Sequence, residues 1–243
     1  MAVEKGEPKE MTEPIALVFA HPDDETFLSA ALIRRLADEG NAPVLLLATK
    51  GDAGKKNGAF AHLSNEELAE LREAEMSRAA EILGLSAVEH LAYPDGKLQE
   101  ADEAEFVRRV AGFLNRHRSP VVVTFPEDGG NYHPDHMAIS RIATKAVLDG
   151  WCPHVEKLYY ILSAPLAEKG VQPAFRLDTE PYWPVKAAAL RAHDSQALAI
   201  ERYFGPLDAF PEQRRYEAFV LAWERGEAWP KRTETWITDR LNS

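Results

Sequence analysis

Four short, largely apolar runs alternate with helix-length amphipathic stretches through the first 150 residues. No other feature of the sequence limits the fold as much. The runs are IALVFA (15–20), APVLLLAT (42–49), AVEHLA (87–92) and PVVVTFP (120–126). Between them the apolar spacing is helical from Asp24 to Glu39, stopping at Gly40. It is helical again in SNEELAELREAEMSRAAEILG, which opens with a Ser64/Glu67 capping box and ends at Gly84. Asp102–His117 and the segment ending near Gly150 complete the pattern. Buried strands alternating with amphipathic helices predict an α/β fold. It is a doubly wound, Rossmann-like, mainly parallel sheet with helices on both faces. VEKLYYILS (155–163) and AFRLD (174–178) are further strand candidates, and the last 60 residues read as mainly helical.

A chain of 243 residues has room for one such domain with a full core. The reading is a single domain over 14–243, preceded by a polar tail, 1–13, expected to be disordered. That tail lacks the apolar centre of a signal peptide. A net charge of -11 argues against unaided binding to nucleic acid or anionic membranes. No apolar stretch approaches the roughly 18 residues of a membrane span. The one cysteine, Cys152, excludes an internal disulfide and fits a reducing cytoplasm; it is expected to be a small, partly buried packing residue.

In a doubly wound sheet the first and fourth strands lie side by side, and ligands bind beyond their carboxyl ends. HPDDE (21–25) follows the first strand and HPDH (133–136) the fourth, so the topology brings two separated clusters to one crevice. Acids at a helix start are ordinary, because the first amides lack partners and the dipole is positive there. That accounts for any one of Asp23, Asp24 and Glu25, but not for three histidines alongside. Two histidines and a carboxylate with an open position form a common catalytic zinc site. His21 and Asp24 are spaced i, i+3, as are His133 and His136, so each pair can face one ion. Asp23 must then point elsewhere, which suits a general base for metal-activated water. Spacing alone leaves open which of His133 and His136 binds metal.

AHPDDE (20–25) with HPDH (133–136) resembles the hallmark of the LmbE/PIG-L family of zinc-dependent de-N-acetylases. TKGDAG (49–54), LREAEMSRAAEILG (71–84), YPDG (93–96) and KAAALRAHDSQ (186–196) extend the resemblance from about residue 15 to 200. The resemblance implies an LmbE-like fold, with His21, Asp24 and His136 holding Zn2+. Fe2+ or another divalent ion suits the same donors. It also implies Asp23 as general base, His133 as oxyanion stabiliser and Asp135 as the residue that orients His133 and keeps it protonated. Arg72, Asp95, His193 and Tyr132 correspond to substrate-side residues. The implied reaction is hydrolysis of an acetamide on an N-acetylated amino sugar or its conjugate, giving acetate and a free amine. Glu25 is left as an ordinary helix-start glutamate.

Other readings stand beside these. Arg72 is equally a surface arginine paired with Glu75, Asp95 an ordinary turn residue, and His193 a helix-end histidine. Lys50, Lys55 and Lys56 make either a lid or a solvated loop, and Tyr182 and Trp183 either a sugar platform or packing. A nucleotide-binding protein would need a glycine-rich turn after the first strand, where this chain has HPDDE. Two competing functions remain: the same metal site acting on another amide or ester bond, and a non-catalytic sugar-binding protein. Homo-oligomerisation is left open.

Overall fold

The computed structural model describes residues 13–241. The tail reading for 1–13 falls almost wholly on residues 1–12, outside the described residues. Chain order is β1 (Ala16–Phe19), α1 (Asp24–Asp38), β2 (Val44–Thr49), α2 (Asn65–Leu83), β3 (Ala87–Tyr93), α3 (Glu103–His117), β4 (Val121–Thr124) and α4 (Pro134–Leu148). β5 (Lys157–Ile161), α5 (Ala164–Glu168), β6 (Phe175–Asp178), α6 (Trp183–Ala192), α7 (Ala197–Phe204), β7 (Tyr216–Glu224) and β8 (Glu227–Ala228) follow.

One sheet runs β3-β2-β1-β4-β5-β7-β6, with β8 paired to β7. The first five strands are parallel. Ala16 pairs with Val44 on one side and with Val122 on the other, so the winding reverses between β1 and β4, as the alternation predicts. β1, β2 and β4 are buried along their whole length, which is why their sequences read as continuous apolar runs. Local signals close the helices. Ser64 and Glu67 form the reciprocal capping box, and Gly84 ends α2 at φ 84°. Asp102 caps α3 by accepting from the Glu105 amide at 2.7 Å.

The C-terminal third departs from the helical expectation. β7 is a nine-residue strand, antiparallel to both neighbours, inserted between β5 and β6. Its sequence, YEAFVLAWE, mixes good helix formers with β-branched and aromatic residues. Its continuous apolar run, Ala218–Trp223, carries no period to separate the two states. Beyond it, Ile237 is fully buried and Trp236 stacks under Arg35 at 3.8 Å, so the tryptophan-rich end packs on the core. Trp183 is buried in a satellite cluster with Phe204, and Tyr182 packs on the main core, which favours packing over a sugar platform for both. Cys152 is buried, and burial pushes its thiol up to about 12. Among the described residues no helix is long and apolar enough to cross a membrane.

Candidate active site

The carboxyl ends of β1 and β4 deliver the two clusters to one point. His21 Nδ1 lies 3.2 Å from His136 Nε2, and His136 Nε2 lies 3.3 Å from Asp24 Oδ1. His21 Nδ1 is 3.5 Å from Asp24 Oδ2. A tetrahedral zinc with bonds of about 2.0–2.1 Å sets its donor atoms about 3.3 Å apart. The His21–His136 separation and the separation of His136 from Asp24 Oδ1 match such an ion, while the contact with His21 is made by the other Asp24 oxygen. The rings' other nitrogens are already committed. His136 Nδ1 must donate to the Gly129 carbonyl at 3.0 Å. His21 Nε2 faces two carboxylates, Asp95 at 3.0 Å and Asp135 at 3.3 Å. The inner nitrogens therefore turn lone pairs toward each other across 3.2 Å, an arrangement only a cation or an added proton can satisfy. Burial pulls the His21 ring down, but Asp135, Asp24 and Asp95 together hold it well above the ordinary histidine value. Burial alone would raise the Asp24 carboxyl, yet His136 and His21 hold it far below the usual range. The donors are two imidazoles and one carboxylate, and they fit a divalent metal.

The candidate donors are held from behind. Asp24 Oδ2 accepts the amides of Ala20 and His21 at 3.2 and 2.8 Å. Phe125 stacks on the His136 ring, with centroids 4.1 Å apart and planes 11° from parallel. Gly129 has φ 65°, and a Cβ there would lie 2.8 Å from the His136 Cβ. The EDGG turn after β4 thus needs glycine at that position to let a carbonyl reach the imidazole.

Asp23 occupies the N-cap of α1 without capping it, at φ 118° and ψ -31°. Arg72 Nη2 donates to Asp23 Oδ2 at 3.1 Å and also to the Pro22 carbonyl. Arg72 Nη1 donates to the Gly51 carbonyl at 3.1 Å. Burial raises the Asp23 carboxyl, Arg72 opposes that, and the outcome is about 6. Arg72 is only 3% exposed and comes from α2. The surface reading of it does not hold. It is not a surface residue paired with Glu75, whose carboxylate instead binds Ser195; its two terminal nitrogens bond protein groups, while its buried Nε has no partner.

Several other expectations are corrected. The Asp135 carboxylate does not reach the His133 ring. It accepts the amides of Gly96 at 2.7 Å and Leu98 at 3.1 Å and faces His21. Its own amide donates to His133 Nδ1 at 3.3 Å, making His133 the N-cap of α4. That fixes the lone pair on Nδ1, so the His133 proton sits on Nε2. Burial and the charges of His136 and His21 hold His133 below its ordinary value. Asp95 is taken up by His21 and by the Ala53 amide at 3.0 Å, tying the 50–56 loop to His21 rather than standing free for a sugar. Tyr132 is 64% exposed, at φ 62°. Lys50 and Lys56 are bonded to Glu73 and Asn65 beside α2, and Lys55 is exposed.

Glu25 is the residue that the sequence reading undervalues. It is fully buried, accepting the Asp23 amide at 3.1 Å, the Thr26 hydroxyl at 2.5 Å and His193 Nε2 at 3.1 Å. His193 is equally buried, behind Asp23 instead of at an open surface, and its Nδ1 has no partner. The available signal was the pairing itself. A third acid in the motif and a histidine 168 residues later are two halves of one buried contact.

The family model for GlcNAc-PI de-N-acetylase (PIG-L) matches residues 16–147. The chain belongs to the PIG-L family. A 1D-myo-inositol 2-acetamido-2-deoxy-alpha-D-glucopyranoside deacetylase of Kineococcus radiotolerans is 34% identical over 160 residues, 55% of this chain and 44% of that protein. A probable N-acetyl-alpha-D-glucosaminyl L-malate deacetylase 2 of Bacillus cereus is 30% identical over 139 residues, 56% of this chain and 62% of its own length. The chain thus spans about half the length of these two relatives. Among solved structures, the N,N'-diacetylchitobiose deacetylase of Pyrococcus horikoshii has a TM-score of 0.68 at 22% identity, covering 86% of this chain and 83% of its own. The 4-carboxy-2-hydroxymuconate hydratase GalB of Pseudomonas putida KT2440 has 0.65 at 22%, covering 79% and 83%. Both likenesses are of fold.

Proposed function

We propose that this PIG-L family chain is a metal-dependent hydrolase that removes the acetyl group from an N-acetylated amino sugar or its conjugate. One observation carries the reading. Two imidazole nitrogens and a carboxylate converge at metal-donor spacing, with a separate half-buried carboxylate, Asp23, at their side. Zinc is the ion we assign, held by His21, Asp24 and His136; Fe2+ suits the same donors. When bound, the ion supplies a Lewis acid that acidifies water and polarises the acetyl carbonyl.

The chain's own groups do the rest. Asp23 takes a proton from water as its oxygen adds to the acetamide carbon. It later returns that proton to the leaving nitrogen, so amide and water become acetate and amine. Arg72 keeps the Asp23 carboxylate oriented. His133, its Nδ1 occupied by the Asp135 amide, presents Nε2–H as donor to the developing oxyanion. Such a donor typically contributes about 3–4 kcal/mol. This role needs only the neutral ring with its proton on Nε2, the tautomer that the bond from the Asp135 amide to Nδ1 sets. The names of the relatives share N-acetylglucosamine joined to a small alcohol, and that is the substrate class we assign. We place the activity in one domain over 14–243 and in a reducing cytoplasm, with which the single buried cysteine agrees.

Metal content and acetate release are measured on a panel of N-acetylglucosamine conjugates. One metal per chain and acetate from at least one conjugate are expected, with Asp23→Asn keeping the metal and losing turnover. Bound metal without acetate from any conjugate overturns the substrate class. Unchanged turnover in Asp23→Asn overturns the base.

A further inference from the structure

We propose that Glu25 is a positioning residue: its buried carboxylate, braced by Thr26 and His193, holds the backbone of Asp23 in the conformation that frees the Asp23 side chain to act. The inference rests on the reading of Asp23 as base.

A φ of 118° is a backbone state that only glycine adopts freely. Asp23 persists in it because the peptide that precedes its Cα is held at both its carbonyl and its amide. On the N-terminal side Arg72 holds the Pro22 carbonyl. On the residue itself, Glu25 Oε2 accepts the Asp23 amide at 3.1 Å. The usual arrangement at a helix start has the N-cap side chain accepting from an amide one turn in. Here the relation is reversed. The N-cap aspartate makes no cap bond, and an acid of the first turn reaches back to its amide. Asp23 is thereby spared the duty its position would impose, and its carboxylate is left to Arg72 and the reaction.

A wholly buried carboxylate persists only where donors surround it. Glu25 has three, and one of them, His193, comes from the far side of the chain. The His193 segment is itself fastened. Ser195 donates its amide and hydroxyl to Glu75 on α2, at 2.7 and 2.6 Å. Glu75 stands one turn after Arg72. Helix α2 therefore supports Asp23 by two routes, directly through Arg72 and indirectly through Glu75, Ser195, His193 and Glu25. A merely structural Glu25–His193 pair would need no bond to the Asp23 amide.

The test compares metal-loaded wild type with Glu25→Ala, Glu25→Gln and His193→Gln. Turnover, KM, metal per chain and amide hydrogen exchange of the 20–25 segment are measured. Loss of such a supporting partner typically costs 10–100-fold. Glu25→Ala is expected to lose kcat by that factor with KM within about twofold, one metal per chain, and faster exchange at Asp23. Glu25→Gln keeps an acceptor for the Asp23 amide and is expected to recover most of kcat. If Glu25→Ala does not fold, His193→Gln, which takes the ring donor from Glu25, is expected to give the same pattern more weakly. A kcat loss that tracks lost metal or lost folded protein, with Asp23 exchange unchanged, overturns the proposal. If wild type releases no acetate at all, the deacetylase reading falls on its own. Exchange at Asp23 then decides the positioning claim, and equal exchange in Glu25→Ala and wild type rejects it.

Discussion

Arg72 reaches Asp23 by passing directly beneath Gly51: a Cβ built on Gly51 would sit 2.2 Å from Arg72 Nη1. The glycine of TKGDAG is therefore a fit requirement of the arginine as much as a turn residue, and its φ of 69° adds a second reason for glycine. Gly51→Ala is expected to push the guanidinium off Asp23 and to lower turnover about as much as Arg72→Ala, although residue 51 carries no chemistry. Turnover and metal content of both variants check this. Normal turnover in Gly51→Ala would show that Arg72 does not need its present place.

Backbone strain at Asp23 has a thermodynamic signature separate from catalysis. Glycine relieves a φ of 118°, whereas alanine does not. Asp23→Gly and Asp23→Ala both remove the carboxylate, so both are expected to be inactive. Asp23→Gly should nevertheless be the more stable, by roughly 1 kcal/mol, which is a few degrees in melting temperature. Equal melting temperatures would mean that the conformation is not strained in solution.

Strand β1, the reversal beside β4 and the meeting of HPDDE with HPDH were legible because period and topology are local or nearly so. The roles of Arg72, Glu25 and Asp95 were not. Each is decided by a partner 40 to 170 residues away (Gly51 is the nearest exception), and the same letters serve a solvated helix face equally well. β7 escaped for another reason: its register depends on the two strands it separates, not on its own pattern. The His133–Asp135 relation also ran against expectation. In a helix start the backbone amide of Asp135 is closer to the His133 ring than its own side chain, which is drawn to the Gly96 and Leu98 amides.

The buried His193 contact sets a pH dependence of stability. Burial alone would lower the His193 pKa, but the hydrogen bond and charge of Glu25, with the Asp23 charge, raise it above the ordinary value against the opposing Arg72. A histidine raised in the folded state binds its proton more tightly there than when unfolded. Its contribution is complete below about 6.5, the unfolded value, and fades as pH rises through the folded pKa. Urea unfolding of wild type should therefore weaken from pH 6 upward relative to His193→Gln, with the gap between the two narrowing. A constant gap across that range would show that His193 does not titrate with folding.

Metal removal tests the site without reference to any substrate. An ion bound by the folded chain and not the unfolded one stabilises it by RT ln(1 + [L]/Kd), about 4 kcal/mol at a thousandfold excess over Kd. The chelated protein is expected to melt several degrees lower, with recovery on adding Zn2+. In His136→Ala the remaining donors, His21 and Asp24, fall below the three-ligand set, so the shift on adding zinc should largely vanish. His133→Ala, by contrast, removes a ring whose Nδ1 serves as a helix cap, and its zinc-dependent shift should stay near that of wild type. These two variants decide the point that i, i+3 spacing leaves open. A zinc shift lost with His133 and kept without His136 would exchange their assignments and with them the orientation of the whole reaction.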